Sequence, residues 1–135
     1  MSDLDNLIYK RSKAYQQKSL YESQLRTTEE KISILRVAVR QVDDVKDNLQ
    51  RLSVRTIELA NVERWKGNKY SDYQGEVSGL SSAILSYSMD VDRIHDEMNM
   101  ELARLENEAR NLNGLIGDVV SWINNLCAQI ENFFN

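Results

Sequence analysis

No proline occurs anywhere in the 135 residues, and only five glycines do. Proline lacks the backbone donor that a helix needs and crowds the preceding turn, so its absence removes the strongest helix breaker from the whole chain. What remains follows a helical period. From Leu25 the apolar positions step by three and four through Thr28, Ile32, Leu35, Val39, Val42, Lys46 and Leu49, and Leu52 and Leu59 continue the run. That alternation is a heptad seam with two polar defects, at Thr28 and Lys46. The chain is therefore expected to be all-α, and sheet-containing folds are disfavoured.

Upstream, Leu4, Leu7, Ile8, Tyr15 and Tyr21 are spaced more loosely, and Gln16, Gln17, Lys18 and Ser19 interrupt them, so this end is expected to fray before about residue 15. The seam stops at Trp65-Lys66-Gly67-Asn68-Lys69, where the first glycine of the chain stands beside an asparagine. Ser71, with Gln74 three residues on and Glu76 beyond, then has the pattern of a helix N-cap. A second seam runs Tyr73, Val77, Leu80, Ile84, Tyr87, Val91, Ile94, Met98, and on through Leu102, Leu105, Ala109, Leu112, Ile116, Val119, Ile123, Leu126, Ile130 and Phe133. Two successive steps of four between Ile94 and Leu102 read as a stutter in the register.

These boundaries predict helix 1 over about 4–62, a turn at 63–70 and helix 2 over about 71–133, with any bend falling near 113–117, where Gly114 and Gly117 lie. A continuous second helix is favoured, because neither glycine disturbs the seam. Helices of about 55 to 60 residues are about 85 to 90 Å long, and a connection of a few residues forces them antiparallel. The expected fold is a single-domain, coiled-coil-like helical hairpin over 1–135.

Hydrophobic residues make up 41% of the chain and charged residues 28%, which suits a buried seam with solvated outer faces. The net charge of −4 is unevenly placed. Residues 1–67 carry a net +3 and residues 68–135 a net −7. Folding one arm on the other would pair these charges, whereas nucleic-acid binding calls for an unopposed basic face and is not expected. No apolar run approaches the roughly 18 to 20 residues that span a bilayer, so stable membrane insertion is not expected. Met1–Lys10 lacks the apolar core of a cleaved signal peptide, which makes the cytoplasm the expected location and leaderless export the route out of it. Cys127, the only cysteine, reads as a small apolar filler.

The residues offer little for catalysis or for a cofactor. His95 is the only histidine, and with Asp92 at i−3 it provides half of the carboxylate–histidine pattern that a di-metal bundle uses twice, so it is expected to be an exposed helical histidine. Asp43 with Asp44, and Glu106 with Glu108, are expected on solvated faces. Phosphate loops and nucleophile elbows do not occur, and Cys127 has no evident histidine partner. No enzyme, metal or cofactor is expected.

Association is a different matter. A two-helix hairpin buries each helix on one narrow stripe and gains from further helices. At the C-terminal end Trp122, Ile123, Leu126, Cys127, Ile130, Phe133 and Phe134 cover more of the helix circumference than one facing helix can shield. From Asn111 onward the only charges are Asp118 and Glu131. Few charges and large aromatics are what interface cores favour, so Trp122, Ile123, Leu126, Ile130, Phe133 and Phe134 are the candidate partner surface, against the alternative that they fill the chain's own core.

Trp65 and Gly67, one residue apart at the centre of a helical hairpin, are the most specific local motif, since glycine admits a tight turn and tryptophan can cover the end of the seam. In this placement the chain resembles the WXG (ESAT-like) superfamily of type VII secretion. Glu63-Arg64-Trp65-Lys66-Gly67-Asn68-Lys69-Tyr70 and the chain length resemble its YwqH-like branch, small partners of LXG-domain toxins. The resemblance implies a targeting or chaperone-like factor that binds the helical LXG region of a toxin, alone or with a second small helical protein. The YxxxD/E signal that follows the second helix in many members has no counterpart here, which implies a signal on the partner or one assembled from both. Heptads alone support a second expectation, a self-assembling coiled-coil scaffold. A membrane-active helix is disfavoured, because the apolar C-terminal segment offers no Lys or Arg to anionic headgroups.

Overall fold

The computed structural model describes residues 2–60 and 68–135 of the backbone, and every statement below concerns them. It is a helical hairpin of two long helices packed against each other, α1 (Asp3–Ala60) and α2 (Asn68–Asn132), with no strand among the described residues. The WxG motif, Trp65 and Gly67, lies outside the described residues.

The N-terminal end is capped. Ser2 Oγ accepts the Asp5 amide at 3.2 Å, and Asp3 and Asp5 place negative charge at the positive end of the helix dipole. The expected fraying before residue 15 therefore does not hold. Of the loosely spaced residues there, Leu4, Leu7 and Tyr21 are half-buried and Ile8 and Tyr15 exposed, and the buried position is Ala14. α2 begins at Asn68, so Asn68–Tyr70 belong to the helix and not to the turn, and Ser71 sits inside the first turn and is not its cap. At the other end the amides of Phe133 and Phe134 bond back to Ile130 and Glu131, a tightened last turn that closes α2 without a glycine. α2 runs unbroken through Gly114 and Gly117, with nothing within 4 Å of a Cβ at either.

Burial corrects the register of the second seam. The buried and half-buried positions of α2 recur every seven residues through Val77, Ile84, Val91, Met98, Leu105, Leu112, Val119 and Leu126. The positions three residues before Val91, Met98 and Leu105 in the same seam are Ser88, His95 and Leu102. The stutter expected near residues 94–102 is absent, because the seam passes through Ser88 and His95 and leaves Tyr87 and Ile94 exposed. In α1 every seam position from Leu25 to Leu49 is buried or half-buried as expected, but beyond it the seam takes Ser53 and Thr56 while Leu52 is exposed.

Contacts divide the hairpin into two units. One joins Met1–Ile34 to Leu102–Asn135, and the other is Leu35–Glu101. In the first unit, Ala14 has no exposed surface and meets Val119, Ile123 and Leu126, with Leu7, Tyr21 and Cys127 packed around them. Alanine there lets the helices approach closely, and larger neighbours fill the space on either side. Thr28 Oγ1 donates across the hairpin to Glu108 at 3.4 Å. The second unit is held by a thinner apolar seam of Leu49, Val77 and Val91, and by two polar ties across it. His95 Nε2 lies 2.7 Å from Asp43 Oδ1, and Lys46 Nζ lies 3.2 Å from Asp92 Oδ1. His95, expected to be exposed, keeps only 16% of its side-chain surface, because the uninterrupted register turns it inward. Asp43 is likewise not merely solvated.

Two outcomes follow from this packing. Replacing both Gly114 and Gly117 by Ala meets no steric obstacle and should stabilise α2 by up to about 1 kcal/mol per site, seen as a higher Tm in circular dichroism. His95→Leu should also raise the Tm, by the equivalent of about 1 kcal/mol, since an apolar seam residue replaces a polar tie whose partner Asp43 is 54% exposed. A lowered Tm would mean that the tie itself holds the second unit together.

Candidate partner-binding surfaces

The six residues singled out at the C-terminal end do not form one surface. Ile123, Leu126 and Ile130 are 5%, 3% and 7% exposed and belong to the hairpin's own seam. They recur at steps of three and four and face α1, where Ala14 receives Ile123 and Leu126. Trp122, Phe133 and Phe134 remain at the surface, 41%, 52% and 74% exposed. Trp122 stands one position before a seam residue, and Leu115, one heptad earlier, is exposed on the same flank. Trp122 and Leu115 are thus left without cover by the hairpin, and Phe133 and Phe134 continue past the last residue of α2.

The opposite flank of this unit is also apolar. Ile8 and Tyr15 stand one position after seam residues of α1, and Val120 and Cys127 stand in the equivalent place on α2. In an antiparallel pair these positions adjoin each other along one edge of the seam. Cys127 is partly covered and packs against the Ala14 cluster, in keeping with its expected role as apolar filler.

Some of the remaining polar groups bond to one another within their own helix. Glu108, expected to be solvated, also holds Arg104 at 3.4 Å within its own helix. Asn99 Nδ2 lies 3.3 Å from His95 Nδ1. Among the described residues no group of three or more His, Cys, Asp or Glu could hold a metal ion, and no helix is long and apolar enough to cross a membrane.

A model of the YwqH-like family matches residues 9–128. The chain belongs to that family. No curated protein and no solved structure matches it. The match spans both helices and the connection between them, so family membership rests on the whole hairpin and not on the eight residues around Trp65 alone. It ends just short of the exposed Phe133 and Phe134 and includes Trp122.

Burial separates the two kinds of apolar residue at this end, and substitution should do the same. Leu126→Ala should cost about 2 to 5 kcal/mol in chemical unfolding, as a seam leucine with little room to relax. Trp122→Ala should cost well under half of that. Equal losses would mean that Trp122 is part of the core.

Proposed function

We propose that this chain is a non-enzymatic helical partner for the LXG region of a toxin, acting as a targeting or chaperone-like factor in type VII secretion. The observation that carries the reading is the exposed set Trp122, Leu115, Phe133 and Phe134, large apolar groups that the chain's own seam does not cover. Solvent exposure of such groups is unfavourable, and burial against a partner helix returns roughly 1.5 to 3 kcal/mol per side chain. Membership of the YwqH-like family and the Trp65–Gly67 pair support the same reading. The surface suits a helix, because Leu115 and Trp122 lie one heptad apart along one flank of α2 and not around a concave pocket. The partner helix would complete what two helices leave open.

The test is co-expression with a candidate LXG-domain protein, followed by size exclusion. Co-elution is expected, and Trp122→Glu combined with Phe133→Glu should abolish it while the helical signal in circular dichroism is kept. Two species that migrate independently would defeat the proposal. The scaffold alternative draws on the unbroken heptads, and light scattering on the isolated chain separates it, since a discrete homo-oligomer indifferent to the LXG region would favour it.

A further inference from the structure

In the Leu35–Glu101 unit several seam positions are polar, and a large apolar residue stands just before each of them. On α2 the seam positions Ser88 and His95 are each preceded by a large apolar residue, Tyr87 and Ile94, which are 56% and 44% exposed. On α1 the seam positions Lys46 and Ser53 are likewise preceded by Val45 and Leu52, which are 36% and 48% exposed. A hairpin that had only itself to satisfy would carry its leucines and isoleucines one residue further on. Four displacements in the same direction, two on each helix, build a second apolar stripe.

The polar ties fix where that stripe lies. In an antiparallel pair the positions just after the seam adjoin each other on one edge, and those just before it adjoin on the other. Asp43 and Asp92 stand just after seam residues and bond across to His95 and Lys46, so they mark the first edge. Val45, Leu52, Tyr87 and Ile94 therefore share the second. The same two ties set the register, bringing Val45 level with Ile94 and Leu52 level with Tyr87. The result is a groove with an apolar floor drawn from both helices.

The walls differ in charge. The next positions outward on α1 are Gln41, Asn48 and Arg55, whereas on α2 they are Ala83, Asp90 and Glu97, so the acidic wall is on α2. Arg93, further from the groove, pairs with Asp90 and Glu97 at 3.7 and 3.8 Å and leaves that wall net negative. Over residues 72–101, α2 carries seven carboxylates and one arginine.

We infer that this groove is a docking site for an amphipathic helix of another protein, one whose apolar stripe is bordered by Lys or Arg along the edge that meets α2. The inference rests on the reading of the chain as a helix-binding partner and adds a second site to it, with a stated chemistry. Apolar contact supplies the affinity, and the charged edge sets the direction and register of the bound helix.

The probe is a labelled synthetic helix of three heptads with leucine at its seam positions and lysine along one flank, titrated against the full chain by fluorescence anisotropy. It should bind at least about tenfold more tightly than the same peptide with glutamate on that flank. The charge-neutral double variant Leu52→Gln, Ile94→Gln should weaken it by about tenfold or more, while Met100→Gln, on the outer face of α2, should not. Equal binding of the two peptides, or binding indifferent to the double variant, would overturn the inference. So would a homodimer in sedimentation that the double variant dissociates. Failure of this site and failure of the proposed function are distinguishable. Equal binding of the two peptides beside LXG co-elution that the Trp122 and Phe133 variant abolishes removes only the groove, whereas a selectively bound lysine peptide without any LXG co-elution removes only the toxin.

Discussion

The fold depends on one constraint, the meshing of a seven-residue repeat on α1 with a seven-residue repeat on α2. Two helices have no other way to bury apolar surface, since each presents only a narrow stripe to the other. The consequence is visible in the burial itself. Even the best-covered seam residues with large side chains, Leu105 and Leu126, retain 3% exposure, and full burial is reached only by Ala14, the smallest of them. Register matters more here than in a globular core, because displacement by one residue carries a side chain from the seam to its flank.

That sensitivity explains what the sequence made legible. The absence of proline and the repeat itself sufficed for the all-α hairpin, for the seam of α1 from Leu25 to Leu49 and for the continuity of α2 past Gly114 and Gly117. The register of α2 before Leu102 was misread for a physical reason. Choosing the most apolar residue at each step selects Leu80, Tyr87 and Ile94, while the helix instead keeps a constant phase and accepts Ser88 and His95. The apparent stutter was two parallel stripes read as one. Helix ends were harder still, since capping by Ser2 and the start at Asn68 depend on one or two hydrogen bonds that periodicity does not encode.

The candidate surfaces were legible by a similar measure. Composition pointed to the C-terminal aromatic stretch, but it could not separate the members that the hairpin consumes, Ile123, Leu126 and Ile130, from those it leaves outside, Trp122, Phe133 and Phe134. Phase decides that, and phase needs the partner helix. The same information turned His95 from a solvated residue into a tie to Asp43. Membership of the YwqH-like family then rests on a stretch that includes both units.

The unequal seams also bear on how the hairpin breathes. Among the described residues the unit that contains both chain termini buries eight apolar side chains, against three in the unit next to the turn. Opening free energy follows buried apolar contact, so backbone amides of residues 35–60 and 68–101 should exchange with solvent more readily than those around Ala14 and Leu126.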